Sequence, residues 1–262
     1  PCASVLIEQM VRGVLITPTS IKPVHIKLLK ERGMSVTLID APGKSSTECS
    51  VSVNDVRGGE IAIEHLVDFG HKNIAWVCGP ETIPQAADRS RGVSTAAKSL
   101  KVSVTHVGTN GMTFAAGEEV VPQILALSPR PTAIFCGNDL LALGVMRGLM
   151  ASGVRIPDDI SVIGYDDIEF AASAAVPLTS IAQPAYQLGF TATKLLLSEC
   201  EGVETHAHQD VRFQPELIVR SSTRDLTDER AQTVVKREYD HIATSYFDSK
   251  NLESKRISKT NF

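Results

Sequence analysis

Six polar residues stand just beyond apolar runs: Thr17 after GVLI, Asp40 after SVTLI, Arg89 in the QAADRSRG stretch that follows IAWVC, Asn138 after TAIFCG, Asp166 after ISVIGY and Gln183 after TSIA. Carboxylates accept hydrogen bonds, an arginine donates them as a planar fork, and side-chain amides do both. Such an inventory suits a neutral polyhydroxylated or heteroaromatic ligand held in a cleft. Each residue also has a plainer reading. Asn138 and Asp166 serve equally as turn formers after strands. Asp40 precedes Ala41-Pro42-Gly43 and could shape a turn, Thr17 alone carries little, and Arg89 could be a solvated helix charge or an ion-pair partner. The set outweighs its members because all six occupy the same end of the same kind of element. Ligands of open parallel sheets bind beyond the carboxyl ends of the strands.

The elements that must position these residues are legible as an alternation. Strand-like runs fall at Gly13–Thr17, Ser35–Ile39, Ile74–Cys78, Val102–His106, Thr132–Cys136, Ile160–Gly164, Thr179–Ala182 and Glu216–Val219. Several are continuous aliphatic or β-branched stretches, as in parallel strands buried on both faces. Helical patterns lie between them: one after Asn54-Asp55 that stops at Gly70, one over Asp139–Ala151 that stops at Gly153, and one over Ala185–Ser198. Asp55 and Asp139 suit helix N-caps, and Gly70, Gly153 and Gly202 suit C-terminal stops. Strand–helix–strand order of this kind predicts an α/β fold with right-handed crossovers. After Arg224 glycine and proline vanish and charges of both signs mix; a surface helix near 227–247 with a frayed end is expected there.

Other chemistry is sparse. The net charge of −4 gives no bulk attraction to nucleic acid. Five widely spaced cysteines without a C-x-x-C pair fit a reducing cytosol better than a disulfide framework, and Cys78 and Cys136, at strand ends, read as buried apolar residues. No apolar run approaches the length of a membrane span, and Glu8 and Arg12 break the N-terminal run, so neither an anchor nor a signal peptide is predicted. Gly43-Lys44-Ser45 resembles the end of a phosphate loop, but Leu38 stands where its first glycine belongs. There is no G-x-G-x-x-G after a strand and no nucleophile elbow, so no cofactor and no enzymatic activity are expected. His206 and His208 form an H-x-H pair in a polar loop and read as belonging to no acidic or cysteine cluster, so no metal is expected. His65 and His71 flank a helix end and read as solvent-facing or as C-terminal charge partners; Trp76 reads as core.

Longer blocks carry a resemblance. They are Asp55-Val56-Arg57-Gly58-Gly59 leading to His65-Leu66, Gly70-His71-Lys72-Asn73-Ile74-Ala75, Arg89-Ser90-Arg91-Gly92, Pro131-Thr132-Ala133-Ile134, and Asn138-Asp139-Leu140-Leu141-Ala142-Leu143-Gly144. Three more follow: Pro157 through Asp167 (PDDISVIGYDD), Pro177-Leu178-Thr179-Ser180-Ile181, and Arg220-Ser221-Ser222-Thr223. Over residues 4–224 the chain resembles the effector-binding domain of the lactose-repressor (LacI/GalR) family of bacterial transcription regulators. The resemblance implies a periplasmic-binding-protein-like (type I) fold, with two doubly wound parallel-sheet lobes and a cleft between them. It implies an N-terminal lobe from 1–52 plus 182–212, a C-terminal lobe from 53–181 plus 213–224, and a C-terminal extension, 225–262, partly helical or disordered.

The same resemblance carries effector contacts onto Asp40, Arg89, Asn138 and Asp166, and less closely onto Thr17 and Gln183. It places Met112 where many members have an aromatic that stacks on the ligand. It implies a small-molecule effector such as a sugar or sugar derivative, a homodimer, a cytoplasmic location without membrane contact, and operator DNA bound only through a head domain. That head, its hinge helix, and the first strand, first helix and second strand of the N-terminal lobe have no counterpart in this sequence. An N-terminally truncated chain with a weakly stable first lobe is the expectation. The alternative within the same fold is a sugar-binding protein of a transport system; the Gly70–Ala75 and Asn138–Gly144 blocks favour the regulator.

Overall fold

A computed structural model of the chain describes residues 5–6, 8–17, 23–41, 47–202 and 206–228. The strands are β1 (Gly13–Ile16), β2 (Ser35–Ile39), β3 (Cys49–Val53), β4 (Asn73–Cys78), β5 (Ser103–Gly108), β6 (Ala133–Cys136), β7 (Ser161–Asp166), β8 (Thr179–Ala182), β9 (Asp210–Phe213) and β10 (Glu216–Ile218). The helices are α1 (Pro23–Glu31), α2 (Asp55–Asp68), α3 (Pro84–Leu100), α4 (Phe114–Glu119), α5 (Val121–Leu125), α6 (Asp139–Ala151), α7 (Glu169–Ser173) and α8 (Ala185–Cys200). They form two sheets, ordered β1-β2-β3-β9 and β10-β8-β7-β6-β4-β5. All pairings are parallel except β10 on β8. This is the α/β architecture expected of the sequence, in two parallel-sheet lobes.

The six-stranded sheet shows how the apolar runs fold. Side chains alternate between the faces of a strand, so Ile74, Trp76, Phe135, Ile163 and Tyr165 meet α2 and α3 on one face. Ala75, Val77, Ile134, Cys136 and Val162 meet α4, α5 and α6 on the other. Helices on both faces make the sheet doubly wound. Its strand order reverses at β4, which has β5 on one side and β6 on the other. In the four-stranded sheet, Val14, Ile16, Val36 and Leu38 pack with Leu29 of α1. Cys49, Val51 and Val53 pack with Leu188, Ala192 and Leu195 of α8.

The chain passes between the sheets at three places: Asn54 after β3, Gln183-Pro184 after β8 and Gln214-Pro215 after β9. Two of these passages are tied together, since Asn54 N donates to the Phe213 carbonyl at 2.9 Å and Asn54 Nδ2 donates to Gln214 Oε1 at 3.2 Å.

Two helix crossings depend on glycine. At the α2–α3 crossing a Cβ on Gly59 would lie 2.3 Å from the Arg89 carbonyl oxygen, and one on Gly92 would lie 2.0 Å from that of Val56. At the α4–α6 crossing the same construction puts Gly117 2.3 Å from the Leu141 oxygen and Gly144 2.0 Å from the Phe114 oxygen. The obstacles are backbone atoms, so no rotamer change relieves them.

Several expectations need correction. Asn54 and Asn138, not Asp55 and Asp139, cap α2 and α6: their side-chain oxygens accept from Arg57 N and Leu141 N. The aspartates stand one residue further in, and both are buried. β3 and β9 escape the search for apolar runs. β3 reads CSVSV yet is buried throughout, with Ser50 Oγ donating to Asp210 Oδ1 of β9 at 2.6 Å. His65 and His71 are buried rather than solvent-facing. His71 Nε2 faces the Arg224 carbonyl at 3.2 Å, so it donates there and Nδ1 accepts from the Thr132 hydroxyl at 2.9 Å. Trp76, Cys78 and Cys136 are core residues, as their positions predict.

By contact, Pro1–Arg224 forms one unit and Asp225–Phe262 another. In the second, Thr227 donates from N and Oγ1 to Asp225 Oδ1. The helix expected near 227–247 falls almost wholly outside the described residues.

Candidate ligand-binding site

Arg89 is the centre of the site. It lies on α3, not in the loop after β4, and is 3% exposed. Its Nε donates to Asp55 Oδ1 at 2.8 Å and its Nη1 donates to the Gly137 carbonyl at 2.6 Å. Its Nη2 stands 3.7 Å from Asp166 Oδ1, and the guanidinium lies 3.6 Å from the centroid of the Tyr165 ring. Burial works against this cation, but Asp55, Tyr165 and Asp166 outweigh it and hold the proton on more firmly than usual.

Gln85 lies one helical turn before Arg89, so both project from one face of α3. Its Nε2 donates to the Asp40 carbonyl at 2.6 Å and to Asp40 Oδ2 at 3.0 Å. Asp40 leaves β2 of the four-stranded sheet, whereas α3 packs on the six-stranded one, so this contact bridges the two lobes. The other carboxylate oxygen, Asp40 Oδ1, is buried without a hydrogen-bond partner. A pocket here is lined by Asp40, Ser52, Asn54, Asp55, Gln85 and Arg212, among others.

Asp166 closes β7, and Gln183 Nε2 donates to its Oδ1 at 2.6 Å. Burial raises the Asp166 carboxyl above its ordinary range, opposed by Arg89 and Gln183. The same holds at Asp40, where burial and then Asp55 raise it while Arg89 and Gln85 oppose. Both residues have left-handed backbones, with φ of 58° at Asp40 and 105° at Asp166. That region is costly for a side chain other than glycine, and such strain collects where a site holds it in place.

The other expected residues are placed differently. Asn138 follows β6 at the strand-order reversal, where ligands of doubly wound sheets sit. Its side chain is partly committed: Oδ1 caps α6 and Nδ2 donates to the Met112 carbonyl at 3.1 Å. Met112 packs beside Gly79 and Gly137 at the same reversal. Thr17 is exposed, one residue past the edge strand β1. Sequence reasoning missed Asp55, Gln85 and Tyr165. The signals were present: an Asn-Asp doublet opens both α2 and α6, and Gln85 stands four residues before Arg89.

Three carboxylates, Asp40, Asp55 and Asp166, lie around Arg89; Arg212 also lines the pocket, and Arg91, which lines it too, is paired with Asp88. The site therefore carries an excess of negative charge and unused acceptors. Two hydroxyls on adjacent carbons can donate to such carboxylates while the guanidinium's remaining N–H groups donate to ring or hydroxyl oxygens.

The comparisons with known proteins agree with one another. The model of the family described as "Periplasmic binding protein-like domain" matches residues 63–223. The HTH-type transcriptional repressor PurR of Photobacterium profundum is 32% identical over 224 residues, covering 84% of this chain and 67% of PurR. The HTH-type transcriptional repressor CytR of Escherichia coli is 35% identical over 180 residues, which is 68% of this chain and 52% of CytR. The chain thus spans between about half and two thirds of the length of these relatives. Among solved structures, a LacI family transcriptional regulator from Enterococcus faecium with bound ribose superposes with a TM-score of 0.80 at 30% identity, covering 86% of this chain and 84% of that one. A CelR–cellobiose complex gives 0.75 at 28% identity, covering 84% and 68%.

Proposed function

The chain belongs to the LacI family of transcriptional regulators, in its periplasmic-binding-protein-like effector-binding domain, and we propose that its cleft holds a neutral polyhydroxylated effector, a sugar or nucleoside. The observation that carries this reading is the buried Arg89 held among Asp40, Asp55 and Asp166, with Asp40 Oδ1 left without a partner. An anionic ligand such as a sugar phosphate would add charge to a site already negative, and desolvating that charge is costly. Neutral hydroxyls supply donors that the carboxylates lack. The ribose and cellobiose of the related structures are in this chemical class.

In this reading Asp40, Arg89, Asp166 and Gln183 contact the effector and Asn138 borders it. Thr17 contributes only if the lobes draw closer. The lobes are those of residues 1–52 with 182–212 and 53–181 with 213–224, and the three passages between sheets act as the hinge. Effector binding shifts the balance between open and closed arrangements, which is how such a domain alters the affinity of an attached DNA-reading head. The domain acts as a cytoplasmic homodimer and carries out no catalysis of its own. Among the described residues no helix is long and apolar enough to cross a membrane. The transport-protein alternative is not favoured, because the relatives are repressors.

The test is thermal denaturation of the chain against sugars, their phosphates, nucleosides and purines. A ligand that binds only the folded state stabilises it by about 2.7 kcal/mol at a hundred times its dissociation constant. A neutral sugar or nucleoside should raise the midpoint, and Arg89→Ala and Asp166→Ala should each remove that shift. A sugar phosphate that shifts the midpoint further than its parent sugar overturns the neutral-effector reading.

A further inference from the structure

The histidine pair His206 and His208, solitary in the sequence, is not solitary in the fold. Cys49 opens β3, Glu199 lies in the last turn of α8, and the two histidines sit in the segment leading to β9. One ligand atom from each of these four residues lies within 4.8 Å of all the others. The expectation of no cysteine or acidic group beside the pair therefore fails. Glu199, His206 and His208 lie within ten residues of one another, but Cys49 stands 150 residues before Glu199, and the topology of the four-stranded sheet brings it to them.

The distances suit a metal. Zinc binds sulfur at about 2.3 Å and imidazole nitrogen at about 2.0–2.1 Å, so a tetrahedral site separates S from N by about 3.6 Å and N from O by about 3.4 Å. Here Cys49 Sγ is 3.6 Å from His206 Nε2 and 3.8 Å from His208 Nδ1, and His206 Nε2 is 3.9 Å from Glu199 Oε2. A small inward movement completes the polyhedron. Hydrogen bonding within the protein does not account for the cluster as well. A thiol has one proton and faces two imidazole nitrogens. Glu199 Oε2 is buried without a hydrogen-bond partner. His206 Nδ1 lies 3.2 Å from Ser198 Oγ, and a proton donated there leaves the Nε2 lone pair aimed at the cluster, the usual outer support of a metal-binding histidine.

We propose that Cys49, Glu199, His206 and His208 form a tetrahedral zinc site. Four protein ligands leave no open position, so the site is structural rather than catalytic. It ties the end of α8 and the approach to β9 to the amino end of β3. The carboxyl end of β3 leads into Asn54 and Asp55, so the metal braces the strand that feeds the Arg89 site from its far end.

The experiment strips the chain with a chelator and titrates it with Co(II), then with Zn(II). One equivalent of Co(II) should give the intense visible absorption of a tetrahedral ion and a near-ultraviolet thiolate charge-transfer band, both removed by Zn(II). Zn(II) should also raise the thermal midpoint of the metal-free chain. Cys49→Ser should lose the charge-transfer band and Cys200→Ser should keep it. His208 is exposed, so His208→Gln should fold with unchanged circular dichroism and lose the tetrahedral spectrum. Ser198→Ala should weaken Co(II) binding by about 10–100-fold. Failure to take up an equivalent of either ion, Co(II) uptake without the charge-transfer band, or undiminished affinity in His208→Gln overturns the proposal.

Discussion

The α2–α3 and α4–α6 crossings are built by one device and differ in what they carry. In each, a Gly on one helix faces a backbone carbonyl of the other so closely that an added Cβ would lie 2.0 or 2.3 Å from its oxygen. Gly92 with Val56 corresponds to Gly144 with Phe114, and Gly59 with Arg89 corresponds to Gly117 with Leu141. Arg89 and Leu141 are thus counterparts, each three residues before the glycine of its helix and each buried. The close approach needs glycine and asks nothing of that third residue. Leucine satisfies it at one crossing, with its side chain in the apolar core. A buried cation at the other is therefore not a requirement of packing, and burying an ion pair seldom improves stability over an apolar replacement. The difference supports the proposal that Arg89 serves the ligand, with Asp55 holding it in place.

The sharpest way to break this comparison is to make the two crossings alike. Arg89→Leu should abolish effector binding. It should also destabilise the fold by about 3–5 kcal/mol, because Asp55 is left buried without its cation. Adding Asp55→Asn should recover most of that loss in urea unfolding and none of the binding. Recovery of neither would mean that Arg89 is structural, and the contrast with Leu141 would fall.

A smaller effect separates the packing from its cargo. Gly92→Val and Gly144→Val each force a side chain onto a backbone carbonyl and should each cost about 3 kcal/mol or more. Only Gly92→Val displaces Arg89, so it alone should weaken the effector's affinity in the molecules that remain folded. Titration at a temperature where both variants are folded checks this. Equal loss of affinity in both would place the α6 crossing in the site as well.

The same crossings mark how far the sequence is legible. Alternating apolar runs and glycine stops locate eight of the ten described strands and three of the four longest described helices, missing α3, whose Ala- and Ser-rich face presents no strong stripe. β3 is lost because Ser50 and Ser52 occupy buried positions, one of them satisfied by Asp210 across the ladder. Of the proposed site, Asp40 and Asp166 are legible because they follow strands, whereas Arg89 lies within α3 and is carried by the Arg89–Gly92 block. Asp55 passes for a cap because Asn54 and Asp55 are both good capping residues, and only coordinates tell which one turns inward. Gln85 shares a helix face with Arg89, but its role escapes the sequence because its partner, Asp40, belongs to the other lobe. In the metal cluster Glu199, His206 and His208 are neighbours in the sequence, and only Cys49 is hidden in this way, since it meets them through sheet order.

The finest distinction lies between the two buried aspartates at the helix starts. Asp55 has a cation; Asp139 has none and is held by Ser180 Oγ at 2.7 Å and Ile168 N at 2.8 Å, both donating to it. Burial pushes the Asp139 carboxyl up to about 6, with the two hydrogen bonds only partly opposing. A carboxyl raised in the folded state binds its proton more tightly there than in the unfolded chain. Its contribution is therefore greatest at low pH and is lost as pH rises through about 6. Lowering pH from 7 to 5 should stabilise the fold through Asp139 by about 1 kcal/mol, one pKa unit being worth about 1.36 kcal/mol. Asp40 and Asp166, also raised by burial, add in the same direction. Asp139→Asn cannot titrate, so the difference in unfolding free energy between it and the native chain, read from urea curves, should change by that amount between the two pH values. A difference that stays constant would mean that Asp139 is ionised at both pH values, and that its lack of a cation has no consequence for its proton.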